Sequence, residues 1–158
     1  MTKAEISKNV EQILMGARNA RSEVASSEAA VQEALALAPE DLSARMGAYK
    51  LYLYNHRLDE AALQAEWLLR HFAAELGVSA DWREVRTGDA PFTELEFKPR
   101  RYLQALIALG YCRARNGDLA FGRAALEKAQ SLDPADRFGA GRLIASLDRR
   151  ARGAAEDD

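Results

Sequence analysis

Residues 106–134 read LIALGYCRARNGDLAFGRAALEKAQSLDP, and the order of apolar, small and turn-forming residues in this stretch decides the fold. Leu106 and Leu109 continue a helical rhythm that begins at Pro99 and stops at Asn116-Gly117, a pair suited to a helix C-terminus. After a very short turn the rhythm resumes from Leu119 to Leu132 through Leu126 and Ala129. Two helices joined this tightly must lie antiparallel. Gly110 and Gly122 then let their backbones approach closely while leucines fill the seam between them. Asp133-Pro134 pairs a good N-cap with a residue tolerated in the first helical turn, so a closing helix is expected over 135–150 through Phe138, Leu143, Ile144 and Leu147. Gly139-Ala140-Gly141 falls inside that pattern, where small residues serve close packing.

Moving outward, Thr2 and Glu5 have the spacing of a capping box, and Ile6, Val10, Ile13 and Leu14 follow at three- and four-residue intervals, predicting a helix over about 3–20. The polar patch Arg21-Ser22-Glu23 separates it from a second periodic stretch, with Val31, Leu35 and Ala38, which ends at Pro39. Glu40 and Asp41 favour a new N-terminus through the helix dipole, and Met46, Tyr49, Leu51, Tyr52 and Leu53 carry that third helix to about His56. A fourth runs from Leu58 to Gly77. The expected plan is one domain over 1–152, with helical hairpins at about 3–38, 40–77 and 99–132, a closing helix at 135–150 and a flexible tail at 153–158. Residues 77–98 break the rhythm with Gly77, Gly88 and Pro91 and form an insertion. Trp82, Val85, Phe92, Leu95 and Phe97 make it too apolar for a polar tether, so part of it should pack on the helices.

The bulk properties agree with this plan. The chain has 158 residues, 48% hydrophobic and 29% charged, with a formal net charge of −2, an ordinary globular balance for one all-α domain. Nothing provides the broad basic field used in generic nucleic-acid binding. No apolar run approaches a membrane span, no leader-like segment is visible, and the single cysteine, Cys112, has no partner for an internal disulfide. The expectation is a cytoplasmic protein that engages neither nucleic acid nor membrane.

The pattern Leu106-x-x-Leu109-Gly110-x-x-Arg113, Asn116-Gly117-Asp118, Gly122-x-x-x-Leu126-x-x-Ala129 and Leu132-Asp133-Pro134 resembles the tetratricopeptide repeat. Leu106 stands in place of the family's tryptophan and Arg113 in place of an aromatic. A second copy is readable from Ala48-Tyr49-x-x-Tyr52 to Ala61-x-x-x-Ala65-x-x-Leu68. A third survives in Leu37-Ala38-Pro39-Glu40-Asp41, which echoes Leu132-Asp133-Pro134-Ala135-Asp136. A generic helical bundle would share the periodicity but not that recurrent ending. The resemblance implies a short right-handed solenoid of about seven helices that binds a peptide or protein segment without catalysis. Its concave groove would be lined by Met46, Lys50, Leu53 and Tyr54 on the third helix and by Gln104, Ile107, Tyr111 and Arg115 on the fifth. The family's clamp for chaperone tails, with its set lysines and asparagines, is not reproduced.

Chemistry-bearing patterns are sparse. Phosphate-loop, dinucleotide-binding and nucleophile-elbow motifs are missing. His71 and Glu75 share a helix face at i,i+4, but no other motif completes a metal site, so no catalytic residue, metal or cofactor is assigned. Lys98-Pro99-Arg100-Arg101, followed by Arg113, Arg115 and Arg123, is the densest positive feature and suits an acidic group or a solvated face. Trp82, Phe92 and Phe97 make the insertion either a cover for the groove or a docking element. A short array has exposed ends that a homodimer would cover. The competing functional readings are a chaperone for a secreted protein and a helical enzyme whose site has no recognisable motif.

Overall fold

In the computed structural model the backbone is described over residues 2–19 and 24–157, and the side chains over 2–15 and 27–153. The patch Arg21-Ser22-Glu23, the end of the first expected helix at 20, and Asp158 lie outside the described residues. Among the described residues there are seven α-helices and no strand: α1 (Lys3–Asn19), α2 (Val24–Leu37), α3 (Leu42–Tyr54), α4 (Leu58–Leu76), α5 (Phe97–Arg115), α6 (Leu119–Leu132) and α7 (Ala140–Asp157). The chain is therefore all-α, as its composition predicts. It divides into two compact units, Met1–Leu68 and Leu69–Asp158, where the sequence reads as one domain. The boundary falls inside α4.

In the first unit the helix starts are closed by their own side chains. Glu5 N–H donates to Thr2 Oγ1 at 3.2 Å while Thr2 N–H donates to the Glu5 carboxylate at 2.9 Å, a reciprocal capping box. Asp41 accepts from Ala44 N–H at 2.9 Å. Ala44, Ala48 and Tyr52 form the buried stripe of α3, and small residues there allow α1 to come near. A Cβ on Gly47 would lie 2.7 Å from Leu14 Cδ2. The turn into α4 places His56 at φ 57° and is locked by Arg57. Its N–H donates to Tyr52 O at 2.8 Å, and its guanidinium pairs with Glu28 at 2.6 Å and Glu60 at 2.7 Å. One side chain thus ties α2 to the α3–α4 turn.

The second unit is built on the α5–α6 hairpin. Asn116 caps α5, Gly117 takes φ 102°, and Asp118 accepts from Phe121 N–H at 3.2 Å to start α6. The two glycines meet as the spacing predicts: a Cβ on Gly110 would lie 2.9 Å from Gly122 O, and one on Gly122 would lie 2.5 Å from Ala114 Cβ. Tyr102, Leu103, Leu106, Leu109, Leu126 and Leu132 are fully buried in this unit, the leucines each worth roughly 1.5–3 kcal/mol when taken from water.

The segment between α4 and α5 is strapped onto this hairpin. Gly77 ends α4 at φ 71°, and single 3₁₀ turns follow at Trp82–Glu84 and Thr87–Asp89. Trp82 packs edge-on against Phe121 and Phe92 against Tyr102. Lys128 Nζ donates to Val85 O at 2.8 Å and Arg137 to Thr93 O at 2.7 Å. Of the insertion's apolar residues Trp82, Val85 and Phe92 are buried, Leu95 is exposed, and Phe97 is half-exposed with one edge against Phe72.

Three boundaries differ from expectation. The fifth helix opens at Phe97 rather than Pro99, because Glu96 is already in an extended cap geometry and a proline is tolerated anywhere its missing N–H has no intrahelical acceptor. The closing helix opens at Ala140 rather than 135. Asp133 is not its cap: the buried carboxylate accepts from Phe138 N–H at 3.1 Å and closes a separate turn, in which Asp136 and Gly139 take φ 53° and 84°. These left-handed residues interrupt any helix begun at Pro134. Gly139 therefore precedes α7 instead of packing within it. At the other end α7 continues to Asp157, past the flexible tail expected from 153.

Candidate functional site

In α3 the candidate residues lie away from the buried stripe of Ala44, Ala48 and Tyr52. Met46, Lys50 and Tyr54 each follow a buried residue (44, 48, 52) by two positions, which is about 200° around the helix. Lys50 is exposed, Met46 and Leu53 are half-buried, and Tyr54 is 78% exposed, an unusual setting for an aromatic side chain. Within the first unit these four side chains form one amphipathic strip.

The α5 candidates divide. Ile107, expected in the groove, is 8% exposed and belongs to the core, because α5 is buried around most of its circumference between 102 and 110. Gln104 and Tyr111 are half-buried and Arg115 is exposed. Two local pairs order this face. Arg101 Nη1 donates to Gln104 Oε1 at 3.1 Å, and Arg115 Nη1 donates to Tyr111 Oη at 2.8 Å with its guanidinium 5.7 Å from the ring centre. Arg101, which the sequence places only in a basic run, is thereby joined to Gln104 on α5. The i,i+3 spacing to Gln104 is the signal that identifies it.

The charges on this face are distinctive. Arg113 pairs with Asp118 at 3.1 Å, Arg83 with Asp81 at 3.7 Å, and Arg123 with Glu127 at 2.9 Å and with Asp148. Lys98 pairs with Glu75 at 3.0 Å. Among the described residues neither Arg101 nor Arg115 meets a carboxylate. Arg101 Nε is also cut off from water with no acceptor, a state that costs about 1–3 kcal/mol for a polar group.

Of the insertion aromatics, Trp82 and Phe92 are buried, 7% and 3% exposed. They hold the strap down and are not offered to a partner. Phe97 is half-exposed, with an edge against Phe72 and the Arg101 guanidinium 5.3 Å from its ring.

Four groups of the kinds that nucleophilic or metal chemistry uses are placed as follows. Cys112 is fully buried, and burial pushes its thiol up to about 11, away from the thiolate form that reacts. The Tyr102 phenol is raised by burial and then by the Asp81 charge, and its hydroxyl has no partner. Glu75 is held below the usual carboxylate range by the Lys98 hydrogen bond and charge, and the His71 ring lies against Phe72. Among the described residues no three His, Cys, Asp or Glu side chains gather as a metal-holding group, and no helix is long and apolar enough to cross a membrane.

No family model matches the chain, and no solved structure matches it. The chain is similar to the "Uncharacterized 19.8 kDa protein in nifW 5'region" of Azotobacter chroococcum mcd 1, 34% identical over 113 residues. The matched part is 71% of this chain and 64% of that relative, so the chain spans less than two thirds of its length.

Proposed function

We propose that the protein is a non-catalytic cytoplasmic scaffold, built from helical hairpins of tetratricopeptide type, that binds a peptide or protein segment, with the exposed strip of α3 in the first unit as its leading surface and the Tyr111–Arg115 end of α5 as a separate one in the second. The observation that carries this reading is the α3 strip, on which Met46, Lys50 and Leu53 lead to Tyr54, 78% exposed at the helix end. A tyrosine left in water beside an aliphatic side chain and a cation supplies contact area at small entropic cost, the usual anchor of a recognition surface. Support for the repeat type comes from the α5–α6 hairpin, with its glycine crossing at 110 and 122 and its Asp118 cap.

The test is a screen of an arrayed library of diverse peptides against the purified protein, with hits measured by fluorescence anisotropy. Tyr54→Ala should weaken hits bound on α3, and Tyr111→Ala hits bound on α5, by about tenfold or more, the size of an aromatic anchor, with the circular dichroism spectrum and melting temperature unchanged. A library that yields no binder refutes the proposal, and so do hits indifferent to both substitutions.

A further inference from the structure

We infer that the strap over residues 81–94 is a built-in ligand of the α5–α6 hairpin. It leaves as a unit while the helices stay folded, and the seat it vacates takes an extended segment of another protein that carries aromatic anchors. The seat is not the candidate groove: Tyr102, under the strap, and Tyr111 are nine residues apart on α5, about 180° around the helix. The inference therefore goes beyond the scaffold reading above and stands without it.

The strap touches the hairpin as a bound peptide touches its receptor. Over residues 81–94 its backbone hydrogen bonds close only local turns, with Glu84 N–H donating to Asp81 O, Val85 to Trp82, Asp89 to Arg86, Phe92 to Ala90 and Glu94 to Pro91. Among the described residues none joins its backbone to that of α5 or α6. Attachment runs through buried Trp82, Val85 and Phe92, and the Trp82 and Phe92 rings each lie 5.6 Å from a ring of the hairpin, Phe121 and Tyr102 respectively. From the other side Lys128 holds Val85 O and Arg137 holds Thr93 O. Both grips take carbonyls, which every segment has, so the anchors alone select a sequence. A segment without a ladder of backbone bonds to its neighbours opens at lower cost than the helices beneath it.

The seat also contains a donor that the strap leaves unmet. Tyr102 is 0% exposed and its hydroxyl has no partner, a costly state for a buried polar group. Phe92, packed against the Tyr102 ring, offers no acceptor. An incoming segment with a carbonyl at that position gains a hydrogen bond that the strap forgoes, which offsets the strap's advantage of being tethered at high effective concentration.

The probe is a fluorescein-labelled peptide of residues 80–94, read by anisotropy on the full chain, with amide hydrogen exchange on the chain alone. The Val85 and Phe92 amides should be at least about tenfold less protected than those of Leu106 and Leu109 in α5. Trp82→Ala/Phe92→Ala, which empties the seat, should bind the peptide about tenfold tighter or more than wild type, whose own strap competes. The same peptide with alanine at both aromatic positions should not bind. If the double variant loses its helical spectrum, Lys128→Met/Arg137→Met replaces it: every buried side chain is kept, and exchange at Val85 and Phe92 should rise by about tenfold, the value of two hydrogen bonds, with Leu106 and Leu109 unchanged. Strap amides that exchange only in step with those of α5, a folded double variant that ignores the peptide, or equal binding of the anchorless peptide each overturn the inference.

Discussion

Replacing Gly122 with alanine tests the tightest crossing in the molecule. Helix propensity alone predicts a gain of about 1 kcal/mol for Gly→Ala inside a helix. The geometry predicts a loss. The new Cβ would meet Gly110 O, and Ala114 Cβ and N at 2.5 and 2.7 Å, where ordinary carbon contacts begin near ~3.5 Å. All three obstacles are backbone or a Cβ, so no flexible side chain can swing aside. The α5–α6 pair must separate locally, loosening Leu106 and Leu126 in the seam. Overpacking of this kind costs about 1–3 kcal/mol, and backbone obstacles place it at the upper end, leaving a net loss of about 2 kcal/mol after the propensity gain. Gly153, which has nothing within 4 Å of its would-be Cβ, is the control: Gly153→Ala should stabilise by up to about 1 kcal/mol. Urea unfolding followed by circular dichroism reads both midpoints. A Gly122→Ala protein as stable as wild type would mean that the hairpin is not closely crossed there.

Other outcomes follow from the strap and the ion pairs. Trp82→Ala removes a 7% exposed indole that packs on Phe121 and should cost about 3 kcal/mol or more, with limited proteolysis shifting to residues 77–96. The Glu60 carboxyl is held down by the Arg57 hydrogen bond and Glu75 by Lys98. Lowered carboxyls contribute stability above their ordinary range and lose it as pH falls through the lowered values. Arg57→Met and Lys98→Met should therefore raise the respective carboxyl towards the ordinary range in a carbon-13 NMR titration and flatten the acid limb of the stability curve. Cys112, buried and with its thiol pushed up to about 11, should not react with a thiol reagent at pH 8 until the chain is unfolded; rapid native labelling would contradict its placement.

The parts of this fold that are legible in the sequence are those decided within four residues. Thr2–Glu5, Asp41 and Asp118 close helix starts with their own side chains, and Gly77 and Gly117 close helix ends at positive φ. Each satisfies donors or acceptors that its own helix leaves open, so the residue type and its position are enough. The start of α7 is not local in this sense. Asp133 and Pro134 spell a helix start, and the same aspartate can instead reach forward to Phe138 N–H once it is buried beside α6. Burial favours the second use, and the left-handed Asp136 follows from it.

The same distinction separates the site residues. The α3 strip is readable because alanines at 44 and 48 and a tyrosine at 52 mark the packed side, which leaves Met46, Lys50 and Tyr54 opposite. On α5 periodicity cannot separate Ile107 from Gln104, since burial extends around the helix and hydrophobic residues occupy several faces at once. Charge is the better guide there. A 19-residue helix with five cations and no carboxylate is visible in the sequence, but which of those cations lack a partner depends on where Asp118 and Glu75 fall in space. With both acids spent on Arg113 and Lys98, Arg100, Arg101 and Arg115 keep no carboxylate partner among the described residues, a difference that only the folded chain makes.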